Sequence, residues 1–158
     1  MRLIRIGTAA VSVLVGDFDG NLSRLREVVA EARRAGVHLL VLPELALSGY
    51  SLDDRILWPA IAQRSWTALQ ELAKECSGIA VWVGLPVTHK SMMYNAAALI
   101  HDTHILGFVL KQFLPTYSIF YEGRNWAAWE GGVTRIQGLP AGNCVFCLPW
   151  GDVSAEIC

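Results

Sequence analysis

The sequence predicts a layered α/β fold with mixed parallel/antiparallel sheets. Three observations lead to it. Short apolar runs rich in Val, Ile and Leu alternate with helical patterns. One strand–helix–strand unit implies parallel pairing, and a later pair of runs around a polar turn implies a hairpin. Hydrophobic residues make up 53% and charged residues 17%, so the chain can bury a core and is not a disordered one.

The elements follow in order. Leu3 to Val13 is rich in Ile, Val and Ala and suits a first strand buried on both faces. Asp19 or Asn21 can cap the next helix, in which Leu22, Leu25, Val28, Val29 and Ala32 recur at helical spacing. Gly36 stops it, and His38 to Leu42 is a short apolar strand. A loop from Pro43 to Asp54 leads to a second helix over roughly Pro59 to Cys76. Ile79 to Leu85 is another buried strand. Met92 to Ile100 and Ile105 to Lys111 form an antiparallel pair turning near Asp102 and Thr103. Gln112 to Gly132 is a long aromatic-rich loop, and such loops are more often functional than ornamental. Cys144 to Leu148 and Val153 to Cys158 are two late short strands. No repeat or Pro/Gly/Ser linker interrupts the 158 residues, which read as one domain, 1–158.

Several function classes fall away on composition. A net charge of -1 gives no electrostatic reason for nucleic acid or an anionic membrane as a partner. The apolar N-terminal stretch contains Arg5 and closes on Asp17 and Asp19, so a strand explains it better than a signal peptide. The run from Val37 to Tyr50 is broken by Pro43 and Glu44 and cannot span a bilayer. Four scattered cysteines do not make a secreted disulfide framework, and a cytoplasmic location is expected. Cys144-x-x-Cys147 has no second pair and no histidines at ligand spacing, so no metal site is expected. Neither GxGxxG nor GxxxxGK[ST] occurs.

Three polar residues stand at the ends of apolar strands: Glu44, Lys111 and Cys158. Ligand sites collect at strand ends in α/β folds. Taken singly each has an ordinary reading: a loop carboxylate, a solvated lysine and a small buried hydrophobe.

The surrounding words change that. Pro43-Glu44-Leu45-Ala46-Leu47-Ser48-Gly49-Tyr50 is followed by Gly84-Leu85-Pro86 and Tyr94-Asn95-Ala96-Ala97. Lys111-Gln112-Phe113-Leu114-Pro115-Thr116-Tyr117 and finally Glu156-Ile157-Cys158 come next. In this order they resemble the nitrilase, or carbon–nitrogen hydrolase, superfamily over essentially the whole chain. The finer pattern, LPELALSGYSLDD with KQFLPTYSIFYEGRNW, is most similar to the glutaminase domain of glutamine-dependent NAD synthetases.

The resemblance implies a nitrilase-type α-β-β-α sandwich, of which this chain holds the first part. It implies a catalytic triad of Glu44, Lys111 and Cys158, with Glu122 as a second active-site carboxylate. Tyr117 is implied at the glutamine pocket and Tyr50 near the site entrance. Trp126 and Trp129 read as packing or interface residues rather than catalytic ones. The implied substrate is glutamine or another small amide, and the implied partner is a synthetase domain. No cofactor is implied for this chain; ATP and Mg belong to the synthetase domain, which is absent from it. A free-standing amidase or nitrilase, or an inactive structural half-domain, stays open as an alternative.

The chain stops in mid-strand at Cys158, so the expectation is a domain truncated at its nucleophile. With no backbone N–H after Cys158 and an α-carboxylate beside its thiol, little or no glutaminase activity is expected of the isolated chain. Uncovered strand edges lead to the expectation of a homo-oligomer.

Overall fold

The structure is a computed structural model that describes residues 3–157. Its elements are β1 (Ile6–Thr8), α1 (Phe18–Arg34), β2 (Leu39–Val41), α2 (Pro59–Ala73), β3 (Ala80–His89), β4 (Met92–His101) and β5 (His104–Leu110). Four short strands follow: β6 (Val133–Ile136), β7 (Leu139–Gly142), β8 (Phe146–Leu148) and β9 (Gly151–Val153). Seven strands form one sheet in the order β1-β2-β3-β4-β5-β7-β6, and β8 with β9 forms a separate hairpin. β1, β2 and β3 pair in parallel, β3-β4 and β4-β5 antiparallel, β5-β7 parallel and β6-β7 antiparallel. The mixed α/β class is the one the sequence predicts.

Both helices lie on one face of the sheet. Leu25, Val29, Leu69 and Leu72 are fully buried there against Leu40, Val81, Val83, Ala98 and Phe108. Each such side chain contributes about 1.5–3 kcal/mol by leaving water. The opposite face carries Leu39, Trp82, Leu99 and Val109, covered by Cys144, Phe146 and Leu148 around the β8-β9 hairpin. β3 has buried residues on both faces through Val87, which is why it reads as a continuous apolar run.

α1 begins one turn earlier than expected. Asp17 is its cap, accepting from the Gly20 N–H at 3.0 Å. Asn21 is instead fully buried inside the helix, and its amide spans Leu14 N and O at 2.8 and 2.7 Å. Gly36 does stop α1: at φ 68° it turns the chain so that Val37 N–H reaches Ala32 O at 3.0 Å.

Two expectations are corrected. The first strand is only three residues long and lies at the sheet edge, with Ile6 62% exposed rather than buried. Val, Ile and Ala composition reports strand propensity but not whether a layer covers the strand. The late strands are Phe146–Leu148 and Gly151–Val153, a hairpin, and residues 154–157 are not in a strand. Three hairpin turns put two successive residues at positive φ: Lys90-Ser91, Asp102-Thr103 and Gln137-Gly138. Only the second was expected.

Candidate active site

β3 and β4 are ten residues long, whereas β2 ends at Val41 and β5 at Leu110. The β3-β4 hairpin therefore projects beyond its neighbours, and the residues just after β2 and β5 flank it. Alternation places Asn95, Ala97 and Leu99 of β4 on the face opposite the helices, and Val109 and Lys111 at β5 likewise.

Glu44 is held by a tight segment. Leu42 N–H donates to Trp82 O at 2.9 Å and Leu47 N–H to Gly84 O at 3.3 Å, tying both sides of it to β3. Leu45, fully buried, adopts φ 51°, a conformation that costs a branched residue about 1–2 kcal/mol. The segment passes so close to β3 that a Cβ on Gly84 would lie 2.2 Å from Leu45 N. Only glycine fits there.

Lys111 is 2% exposed and its ammonium is the centre of the site. Nζ donates to Glu44 Oε1 at 2.8 Å and to Glu122 Oε1 at 2.9 Å. Glu122 Oε2 also lies 2.9 Å from Nζ, but without the alignment of a hydrogen bond. Burial disfavours the charged lysine, yet the hydrogen bonds and attraction of the two carboxylates outweigh it and raise its pKa above the ordinary value. At neutral pH Lys111 is thus a fixed cation and cannot serve as a base.

Glu122 opens a single 3₁₀ turn, Glu122–Arg124, inside the long loop. The loop is stitched back to the sheet by Ala127 N–H to Met93 O at 2.8 Å and Trp129 N–H to Lys111 O at 2.9 Å. Tyr50 Oη donates to Glu122 Oε1, and the Tyr50 ring meets Phe120 edge-on at 6.3 Å. Tyr117 is 68% exposed and touches the same Phe120 at 5.8 Å, so it stands at the rim, outside the hydrogen-bonded cluster. Trp126 packs with Phe18, Leu52 and Ile56, and Trp129 packs on Tyr94. Cys158 lies outside the described residues. Ile157, its neighbour, lines a cavity of about 500 Å³ together with Glu44, Asn95, Trp82 and Ala155.

Asn95 belongs to the Tyr94-Asn95-Ala96-Ala97 word, and the sequence alone assigns it no role. It is fully buried, and its Nδ2 donates to Glu44 Oε1 at 2.5 Å. Its Oδ1 is buried with no hydrogen-bond partner among the described residues, an arrangement that costs about 1–3 kcal/mol. The available signal was one amide in the otherwise apolar stretch Tyr94 to Ile100. Among the described residues no group of three or more His, Cys, Asp or Glu could hold a metal ion. Cys144 is buried, which raises its thiol pKa; the exposed Cys147 thiol is raised by its hydrogen bond to Asp152. No helix among the described residues is long and apolar enough to cross a membrane.

The fold is mixed α/β, and its buried charged cluster sets one ammonium, Lys111, between two carboxylates, Glu44 and Glu122. The family pattern described as carbon–nitrogen hydrolase matches residues 5–158, and the chain belongs to that family. A glutamine-dependent NAD(+) synthetase of Thermotoga maritima is 36% identical over 156 residues, covering 97% of this chain and 27% of its own length. The crystal structure of a glutamine-dependent NAD(+) synthetase from Cytophaga hutchinsonii superposes with a TM-score of 0.90 at 31% identity, covering 94% of this chain and 27% of that one. An amidase from Nesterenkonia sp. shares the fold at a TM-score of 0.69 and 23% identity, over 87% of this chain and 53% of its own. This chain spans between 20% and 27% of the length of the curated synthetases cited here and their mycobacterial counterparts.

Proposed function

We propose that residues 1–158 are the front part of a glutaminase domain that hydrolyses the side-chain amide of glutamine and supplies ammonia for NAD synthesis from nicotinic acid adenine dinucleotide. The observation that carries the reading is the buried Lys111 ammonium, held 2.8 and 2.9 Å from the carboxylates of Glu44 and Glu122. The likeness to glutamine-dependent synthetases supports the choice of glutamine.

In this reading Cys158 Sγ adds to the amide carbonyl carbon while Glu44 takes the thiol proton. Lys111 stabilises the charge that develops on the carbonyl oxygen. The C–N bond then breaks, and the nitrogen leaves as ammonia with the proton returned by Glu44. Water attacks the thioester, Glu44 takes a proton from it, and the thiol regains one as glutamate departs. Glu122 fixes Lys111, and Tyr50 and Tyr117 are the aromatic side chains on the substrate side. Nucleophile, base and cation are all side chains, so this part needs no cofactor; ATP and Mg serve a synthetase domain. The protein acts in the cytoplasm and as a homo-oligomer.

The test uses the protein expressed from its complete reading frame. Cys158→Ala is expected to lower ammonia release from glutamine by about 10³-fold or more. It is expected to leave NAD formation from added ammonium salts intact. Undiminished ammonia release from the variant overturns the triad. Faster turnover of acetamide than of glutamine would instead identify a free-standing type of amidase.

A further inference from the structure

We propose that Asn95 is a positioning residue for Glu44, clamping one carboxylate oxygen so that the other is presented to the nucleophile. The inference rests on the reading of Glu44 as the proton acceptor for Cys158. Glu44 Oε1 receives two hydrogen bonds, from Asn95 Nδ2 at 2.5 Å and Lys111 Nζ at 2.8 Å. Oε2 makes no hydrogen bond among the described residues. Glu44 lines the cavity that Ile157 also lines, one residue before the cysteine.

Two donors converging on one oxygen fix both the position of a carboxylate and its rotation about the terminal bond, which is otherwise broad. Lys111 alone cannot do this, because a single flexible ammonium shared with Glu122 leaves that rotation open. Asn95 is well suited to the second hold. Its backbone is locked in β4, where it stands opposite Pro86, and its carbonyl accepts from Lys111 N–H at 2.9 Å. One strand residue thus holds the base through its side chain and the cation through its backbone. An apolar residue would serve the sheet equally well at this fully buried position, so folding alone does not account for the amide.

The inference separates from a structural role by coupling. Asn95→Leu fills the space and removes the donor; Asn95→Ala opens the space and removes the same donor. In the protein expressed from its complete reading frame, each is expected to lower kcat for glutamine about 10- to 100-fold while KM stays within about threefold. The rate of Cys158 alkylation by iodoacetamide, followed on its own peptide by mass spectrometry, is expected to fall in parallel. In a Glu44→Gln background the same substitutions are expected to cost less than about twofold, because no proton acceptor is left to position. Equal losses in both backgrounds, or a change confined to KM, would overturn the role of Asn95. Failure of the underlying reading looks different: Cys158→Ala then keeps its ammonia release whatever stands at position 95.

Discussion

Lys111→Met is expected to lower folding stability by about 3 kcal/mol and amide hydrolysis by about 10³-fold or more. The stability loss arises because the substitution removes the only cation bonded to Glu122 among the described residues, and the Glu122 side chain is 4% exposed. The figure sits at the lower end for a broken buried pair, since the Glu44 side chain keeps 31% of its exposure. In the proposed mechanism the activity loss follows from the missing charge at the developing oxyanion. Urea unfolding and ammonia release measure the two effects; a variant within about 1 kcal/mol of the parent would show that the ion cluster is not a stabilising one. The pH dependence adds a second signature. The carboxylates raise the pKa of Lys111, so the folded state holds this proton more tightly than the unfolded state does. Its stabilisation is complete below the ordinary lysine range, about pH 10, and is lost as pH rises through the raised value. The variant is expected to lack this alkaline loss.

Gly84→Ala is expected to be as destabilising, although Gly84 bears no functional group. Its new methyl would meet Leu45 N at 2.2 Å, Pro43 O at 2.7 Å and Glu44 C at 2.8 Å. All three are backbone atoms, and they cannot rotate away as a side chain would. Either β3 or the segment bearing Glu44 has to move, at a cost of about 3 kcal/mol. A shift of about 1 Å in Glu44 would by itself reduce turnover about 10²-fold. Unfolding and kinetics of the variant test both parts, and unchanged values for both would mean that the close approach is not required.

Much of this was legible in the residues. The positions of Glu44 and Lys111 at strand ends, set within distinctive words, pointed to one site before any coordinates. Gly36 and the Asp102-Thr103 turn marked their boundaries because their chemistry is local. What escaped was non-local. The β6-β7 hairpin hid behind a Gln137-Gly138 turn and a strand containing Pro140, neither of which is a strong hairpin signal. Asn95 looked like one polar residue in an apolar strand, because its partner lies 51 positions away. The exposure of Ile6 depends on which layers cover the sheet, and alternation cannot reveal that. The motif names Tyr117 but cannot aim its side chain, which stands exposed on the long loop with its ring against Phe120.

The ion cluster joins two parts of the chain with different cohesion. Lys111 and Glu122 come from the long antiparallel hairpins and the loop stitched to them, whereas Glu44 follows a three-residue parallel strand beside an exposed edge. Short edge elements open at lower free energy than long central ones. Under mild denaturant Glu44 is therefore expected to detach while Lys111 and Glu122 remain paired. Hydrolysis should fade before circular dichroism records any loss of sheet, and coincident transitions would show that both parts melt together.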